Sequence, residues 1–139
     1  MHIDYESQLA YLLQQGHCCT EALVRLGLWL KKEENESLAK ASSGLCKGMH
    51  AGLNCGALAG GCMLLSMFDR ITAAREMIPA LCEWFDERYG MEYGSINCED
   101  LLGNNPTGSI ERCRPLIHAV AAQCVELLEI NCLLEESQC

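Results

Sequence analysis

Basic residues are scarce in this chain, and their scarcity excludes several kinds of partner. Ten Lys and Arg residues stand against nineteen Asp and Glu, which gives a formal net charge of −9, and no stretch concentrates the basic residues. Nucleic acids and anionic membrane surfaces attract clustered positive charge. The longest apolar stretch, around residues 53–68, is short and glycine-rich for a membrane span, and the N-terminus lacks the pattern of a signal peptide. We therefore expect a cytoplasmic protein that binds neither nucleic acid nor membranes.

The C-x-x-C motif is missing as well, although the chain contains eleven cysteines in 139 residues. Thioredoxin-like sites, zinc ribbons and ferredoxin-type cluster sites use that spacing. An odd number of cysteines cannot pair fully within one chain, and a half-hydrophobic chain of this length can bury a core without disulfides. A secreted fold held together by disulfides is therefore not expected. Cysteines that share a cofactor must come from distant parts of the fold.

Apolar residues recur at helical spacing through most of the chain. The pattern predicts helices over residues 4–15, 17–32, 54–68, 70–89, 98–102 and 113–136, with a charged connection or short helix at 33–40. Pro79 predicts a kink or a new helix start, because proline removes a backbone hydrogen bond. The apolar stripe of residues 70–89 places Cys82 in the core. We expect an all-α single domain over residues 1–139, a bundle of about five helices with a glycine-rich helix start.

Glycine is concentrated in residues 43–62, which contain six of the twelve glycines and three of the eleven cysteines. Five of these glycines recur at every fourth residue from 44 to 60, so a helix here would present a bare stripe to a neighbour. Each glycine inside a helix costs roughly 1 kcal/mol relative to alanine. We therefore expect an irregular or loosely helical segment at 44–53 and a helix that starts with Asn54 as its N-cap. Cys55 then lies in the first turn.

Four segments in order resemble a known family. Cys55 to Gly60 reads Cys-Gly-Ala-Leu-Ala-Gly and resembles the CGAxxG element of the C_GCAxxG_C_C family of small, redox-active prokaryotic proteins. Residues 16–22, with Cys19, resemble the early segment of that family. Residues 95–103, with Cys98, resemble the later segment, and Cys113 follows as the fourth cysteine. The resemblance extends from about residue 16 to residue 125. It implies a redox function with Cys19, Cys55, Cys98 and Cys113 as the site.

These four cysteines share a position relative to the predicted helices. Cys55, Cys98 and Cys113 fall at predicted N-termini, and Cys19 lies in the opening turns of its helix on the core-facing side. Unpaired backbone N–H groups at a helix start favour the thiolate, which is the form that binds metal or attacks a disulfide. Small residues also fit crowded helix starts, so each position alone has a structural explanation. The four together favour a functional role.

Three functions are compatible with this set. In the first, which we favour, the four cysteines hold a metal as thiolates, with a [2Fe–2S] cluster for electron transfer expected and zinc as the alternative. In the second, two of the four form a redox-cycling disulfide without a cofactor. In the third, the chain is a helical binding or scaffold protein with structural cysteines. The first two describe an oxidoreductase or electron-transfer protein with a redox partner protein, and the glycine stripe is compatible with a homodimer.

Several other residues are weaker candidates for the site. Three cysteines close in sequence to the four could replace one of them, and one of these lies in the glycine-rich loop, from which a side chain can easily reach a metal. Two histidines near the cysteines could act as ligands or proton carriers. A third histidine is expected on a helix flank. These candidates are Cys18, Cys46 and Cys62, then His17 and His50, and finally His118.

Overall fold

The computed structural model describes residues 4–103 and 109–134, and this part of the chain is helical with a single isolated β-bridge. The expectation of an all-α fold is therefore confirmed for these residues. The α-helices are α1 (Tyr5–Gln14), α2 (Cys19–Lys31), α3 (Glu36–Ser42), α4 (Gly56–Phe68), α5 (Arg70–Thr72), α6 (Ile78–Phe85), α7 (Met91–Tyr93), α8 (Cys98–Leu102) and α9 (Arg114–Ile130). Seven of them are five residues or longer, whereas we expected about five.

Local sequence signals explain most helix boundaries. The Asp4 carboxylate accepts a hydrogen bond from the Ser7 N–H, and the Asn35 side chain accepts one from Leu38, so both residues cap the helices that follow. Gly16 follows α1 with a φ of +91°, as expected of a glycine that ends a helix. Asp69 both follows α4 and caps α5, because its carboxylate accepts from two backbone N–H groups of that helix.

Helix α4 lies at the centre of the fold because its glycines permit close contacts on two sides. A Cβ atom on Gly60 would lie 3.0 Å from the Thr20 backbone of α2. One on Gly61 would lie 2.9 Å from the Val120 side chain of α9 and 3.0 Å from Leu81 of α6. The glycine stripe therefore packs α4 against neighbouring helices of the same chain.

The glycine-rich approach to α4 is irregular, as expected. It consists of a 3₁₀ turn at Ser43–Leu45 and a wide turn at Gly48–Gly52. The expectation that Asn54 caps the helix is wrong by one residue, because Cys55 is the N-cap. Asn54 forms the isolated bridge with Asn97 instead, which holds its backbone in an extended conformation.

The chain from residue 70 to residue 93 winds continuously through α5, α6 and α7, which are joined by π-helical turns at Ala73–Met77 and Asp86–Gly90. A new helical stretch starts at Ile78 with Pro79 in its first turn, as the proline predicted. The expected core stripe is partly wrong. The fully buried side chains recur at every fourth residue, at Ala73, Met77, Leu81 and Phe85, because the wider π turns shift the register. Ile71 is 60% exposed, and Cys82 lies on the surface.

The last helix is shorter than expected. Its pattern predicted a helix to residue 136, but α9 ends at Ile130. The Asn131 side-chain amide donates a hydrogen bond to the Leu127 carbonyl, and Cys132 then adopts a φ of +60°, which ends the helix. Among the described residues, no helix is both long and apolar enough to cross a membrane.

Candidate functional site

The isolated bridge brings the segments of Cys55 and Cys98 together. The Cys55 N–H donates to the Ile96 carbonyl at 2.9 Å, and the Cys98 N–H donates to the Leu53 carbonyl at 2.6 Å. The two bonds flank the bridge between Asn54 and Asn97. Two cysteines that lie 43 residues apart in the sequence are thus fixed at the starts of α4 and α8.

Cys19 reaches the same place because Gly56 leaves room for it. A Cβ atom on Gly56 would lie 2.6 Å from the Cys19 Sγ and 2.7 Å from the Thr20 hydroxyl oxygen. That buried hydroxyl donates a hydrogen bond of 2.7 Å to the Gly56 carbonyl. Glycine is therefore required after Cys55 if the start of α2 is to lie against the start of α4.

Cys113 comes from the C-terminal part of the chain, just before the last helix. It ends the π-helical turn Ser109–Cys113 and directly precedes α9, whose first turn contains Pro115. The regular helix thus begins close to Cys113, because proline is tolerated in the first turn of a helix and not deeper. The Arg112 guanidinium donates a hydrogen bond to the Leu101 carbonyl at 3.3 Å, which ties this turn to α8 and to the segment of Cys98.

The four cysteines, which we call the four-cysteine site, are close enough for their charges to interact. The pKa of Cys55 is raised to about 11, chiefly by burial and in smaller part by the charges of Cys19 and Cys98. Burial also raises the pKa of Cys113 to about 12, with smaller contributions from the other three thiols. The structure thus brings together the four cysteines that the family resemblance selected.

Burial outweighs the helix starts in setting the protonation of these thiols. The backbone N–H groups of Leu58 and Ala57 lower the pKa of Cys55, but the loss of hydration raises it by more. The pKa of Cys98 is also raised by burial and by Cys19, and the nearby Lys47 ammonium acts in the opposite direction. Sequence position alone predicted thiolates. Cys55, Cys98 and Cys113 instead favour the neutral thiol near neutral pH.

A disulfide lies next to this site, between Cys18 and Cys46, whose Cα atoms are 6.1 Å apart. Cys18 directly precedes Cys19 and is half-buried, whereas Cys46 has no exposed surface. In the cofactor-free alternative, two of the four cysteines of the site were expected to form the disulfide. The described disulfide pairs two of the three substitutes instead.

The segment after Cys46 has an unusual backbone. Lys47, Met49 and His50 have φ values between 54° and 60°, in the left-handed region that costs a non-glycine residue roughly 1–2 kcal/mol. Gly48 shares this conformation, and a side chain there would overlap the backbone of Leu53. Such strain persists only where surrounding contacts fix the chain. Here the disulfide fixes one end of the segment and the bridge fixes the other.

A cavity of about 280 Å³ opens onto both the disulfide and the four-cysteine site. Its lining combines cysteines with basic side chains and apolar residues. The members that bear on chemistry are Cys18, Cys19, Cys98, Cys113, Lys47 and Arg114. A disulfide-bonded cysteine and three free cysteines therefore line the same cavity. Cys55, at the start of α4, is not one of the residues that line this cavity.

The remaining cysteine candidate lies elsewhere. Cys62, two turns along α4, interacts with Cys82, and its pKa is raised to about 12 by burial and by that neighbour. Cys124 of α9 interacts with Cys62, and its thiol donates to the Gly61 carbonyl at 3.7 Å. We call Cys62, Cys82 and Cys124 the second cysteine group. Cys62 is thus separate from the four-cysteine site.

The histidines differ in their relation to the cavity. His17 borders it, with Nδ1 3.0 Å from the Glu21 carboxylate. His50 is exposed and its Nε2 lies 2.9 Å from the Ser43 carbonyl. His118 is half-buried on α9. Of the three, His17 alone borders the cavity.

The four thiols have the donor chemistry of a metal site, but their present positions do not form one. In residues 4–103 and 109–134, no three or more His, Cys, Asp or Glu side chains form a group that could hold a metal ion as they stand. The donor chemistry of four thiols suits an iron–sulfur cluster or zinc. In their present positions, however, they do not form such a group.

Sequence reasoning missed the pairing of Cys18 with Cys46 and the basic border of the cavity. Both basic residues carried a usable signal, because Lys47 directly follows Cys46 and Arg114 directly follows Cys113. The disulfide carried a weaker one. Its two cysteines are 28 residues apart, and the folded path of the glycine-rich segment brings them together.

Comparison with known proteins identifies the cysteine pattern. The family model described as "Putative redox-active protein (C_GCAxxG_C_C)" matches residues 17–127, which include all four cysteines of the site. No curated protein and no solved structure matches the chain. The matched range covers well over half of the 139 residues.

Proposed function

Because this chain belongs to the C_GCAxxG_C_C family of redox-active proteins, we propose that it moves electron pairs by thiol–disulfide exchange between the four-cysteine site and the Cys18–Cys46 pair. One observation carries this proposal. The disulfide-bonded Cys18 and the free cysteines Cys19, Cys98 and Cys113 line the same cavity. Exchange needs a thiolate with access to a disulfide sulfur, and the cavity gives that access.

Cys98 is the proposed attacking thiol. It lines the cavity together with Cys18, and the Lys47 ammonium offsets part of the rise in its pKa that burial causes. Its proton leaves to solvent, and the thiolate attacks the Cys18 sulfur. The Cys18–Cys46 bond breaks, a Cys98–Cys18 bond forms, and Cys46 leaves as a thiolate that takes up a proton.

Cys19 is the proposed resolving thiol, because it is the cysteine whose charge acts most strongly on Cys98. After losing its proton it attacks the Cys98 sulfur, forms a Cys19–Cys98 disulfide and releases Cys18, which takes up a proton. Two electrons and two protons have then passed from the four-cysteine site to the Cys18–Cys46 pair. An external dithiol reduces the site again, and an external disulfide reoxidises Cys18 and Cys46.

A redox titration tests this proposal. The anaerobically reduced protein is equilibrated in dithiothreitol buffers of stepped potential, and free thiols are counted at each step by alkylation and mass spectrometry. We expect wild type to show a Cys18–Cys46 couple and a Cys19–Cys98 couple. Cys98→Ser should lose the second couple and retain the first. Cys82→Ser, in the second cysteine group, is the matched control and should retain both.

The result that contradicts the proposal is equally specific. If Cys19 and Cys98 remain free thiols at every potential in wild type, the four-cysteine site takes no part in disulfide exchange. Loss of stability alone in Cys98→Ser, with unchanged redox couples, would instead support a structural role for these cysteines.

A four-thiolate metal centre is the second candidate, and the mutual electrostatic interaction of the four thiols favours it. Cys19, Cys55, Cys98 and Cys113 come from four separate segments, as ligands of a [2Fe–2S] cluster or zinc do in many proteins. No step is assigned to a metal here, because the thiols do not form a group that could hold one as they stand.

Anaerobic purification followed by a visible spectrum and metal analysis tests this second candidate. Charge-transfer bands with iron and sulfide in wild type and in Cys82→Ser, lost in Cys55→Ser, would establish a cluster. Zinc without colour, lost in the same variant, would establish a zinc site. Metal-free wild-type protein that still shows both disulfide couples would leave thiol–disulfide exchange as the function.

A further inference from the structure

Two basic side chains at the border of the cavity have no acidic partner. Lys47 and Arg114 are both exposed there, and neither forms an ion pair with another described residue. The chain has nineteen acidic residues against ten basic ones. Arg25, by contrast, binds the carboxylates of Glu21 and Glu36. Two unpaired cations beside one cavity of an acidic protein therefore point to an anion from outside the chain.

The lining of the cavity adds no negative carboxylate. Its titratable members are Lys47, Arg114, His17 and the cysteines, without Asp or Glu. The carboxylate that contacts His17 belongs to Glu21, which Arg25 also binds at 2.7 Å. The positive charges of Lys47 and Arg114 are therefore available to an anionic ligand.

Both cations lie next to cysteines of the proposed exchange, in backbone segments whose conformation holds them at the cavity. Lys47 directly follows the disulfide-bonded Cys46, and its left-handed backbone, with a φ of 54°, is part of the strained segment. Arg114 is the first residue of α9 and directly follows Cys113. Each cation is thus adjacent in sequence to a cysteine of the redox machinery.

The size of the cavity limits what can bind. At about 280 Å³, it lies just below the usual range for small-molecule sites, which is about 300–1,000 Å³. It can hold one half of a low-molecular-weight disulfide, but not a folded protein segment. Carboxylates bind arginine through paired hydrogen bonds and bind lysine as a point charge.

From these observations we infer that the cavity binds a small, carboxylate-bearing disulfide, with its anionic groups at Lys47 and Arg114 and its sulfur atoms at Cys18. This inference rests on the proposed function and names its external oxidant. The Cys18 thiolate attacks one sulfur of the ligand and releases the first anionic thiol. Cys46 then attacks Cys18, restores the Cys18–Cys46 disulfide and releases the second. Two electrons and two protons pass from the cysteine pair to the ligand.

The test compares two aromatic disulfides that differ in charge, 5,5′-dithiobis(2-nitrobenzoate) as the anionic probe and 4,4′-dithiodipyridine as the neutral one. Each is added to the anaerobically reduced protein at low ionic strength. Formation of the Cys18–Cys46 disulfide is followed by acid quenching and mass spectrometry. The readout is the anionic-to-neutral rate ratio, which cancels changes in the reactivity of the cysteines themselves.

We expect this ratio to fall about tenfold in Lys47→Gln/Arg114→Gln, because focused positive charge commonly raises the encounter rate of an anion by at least that factor. Salt should lower the wild-type ratio in the same direction. Arg75→Gln is the matched control, since Arg75 is exposed and lies outside the lining of the cavity, and it should retain the wild-type ratio.

The outcomes separate the inference from the function on which it rests. An unchanged ratio in the double variant, with normal closure of the disulfide by the neutral probe, overturns the anionic ligand alone. Failure of both probes to restore the Cys18–Cys46 disulfide in wild type overturns the proposed exchange, and the anionic ligand with it.

Discussion

Helix α4 carries one cysteine of each of the two groups, and the surroundings of these two cysteines differ. Cys55 is the N-cap of α4 and belongs to the four-cysteine site, next to a disulfide, a cavity and unpaired cations. Cys62 lies two turns further along, inside the helix, with Cys82 and Cys124 as neighbours. A raised thiol pKa is common to Cys55 and Cys62.

Burial alone therefore does not identify a redox site. The four-cysteine site differs from the second cysteine group in three ways: its members come from helix starts, three of them share a cavity with a disulfide-bonded cysteine, and basic side chains line that same cavity. A buried cysteine inside a helix behaves as a small apolar residue. Each of the following predictions removes or exploits one of these differences.

The largest effect is expected from the disulfide, which the second cysteine group lacks. The Cys18–Cys46 bond closes a loop with a sequence separation of 28, and a loop of that length contributes about 3–4 kcal/mol to the free energy of unfolding in the chain-entropy treatment. Urea unfolding with and without dithiothreitol should reveal that loss. In Cys18→Ala/Cys46→Ala the effect of the reductant should shrink by the same amount, and an unchanged effect would contradict this assignment.

The next effect concerns the close approach of α2 and α4. Gly56→Ala places a methyl group 2.6 Å from the Cys19 Sγ, which is too close for the two to fit without a shift. Overpacking of this kind costs about 1–3 kcal/mol. It should also slow the closure of Cys19 with Cys98. Gly44→Ala is the control, because no atom lies within 4 Å of the added group. Equal urea midpoints for the two variants would show that Gly56 does not position Cys19.

Cys124→Ala separates structural from redox cysteines. It removes a fully buried sulfur that contacts the Gly61 backbone, so we expect a loss of about 1 kcal/mol or more in the free energy of unfolding. The redox titration should remain that of wild type, with both couples intact. Disappearance of either couple would show that the second cysteine group is linked to the first.

The last effect is a pH dependence that is absent at neutral pH and appears only in alkaline solution. The folded protein holds the pKa of Cys55 at about 11 and that of Cys113 at about 12, whereas an unfolded thiol titrates near 8.5. Between these values the unfolded chain has released protons that the folded chain retains. The free energy of unfolding of the reduced protein should therefore decrease as the pH rises from about 9 towards 12. A flat profile over this range would contradict the burial of these thiols.

Local signals in the sequence predicted the parts of the fold that depend on local structure. Pro79 marked a helix start that the structure confirms, and Cys55, Cys98 and Cys113 do lie at helix starts. Capping and proline effects act within a few residues, so a sequence pattern can reveal them.

The errors concern features that depend on tertiary packing or on exact register. Cys82 was expected in the core, and it is exposed because π turns on either side of α6 shift the helical register. Asn54 was expected to cap α4, but its bridge with Asn97 moves the cap to Cys55. The pairing of Cys18 with Cys46 depends on the left-handed path of the glycine-rich segment, which periodicity does not describe.

The central claim is that the four-cysteine site and the Cys18–Cys46 pair exchange electrons. The most direct measurement is disulfide mapping during partial oxidation of the fully reduced protein, with a limiting amount of oxidant, alkylation and tandem mass spectrometry. The account predicts three linkages, Cys18–Cys46, Cys19–Cys98 and the mixed Cys18–Cys98 intermediate, and none of them in Cys98→Ser except the first. Disulfides confined to Cys18–Cys46 and the second cysteine group in wild type would contradict it.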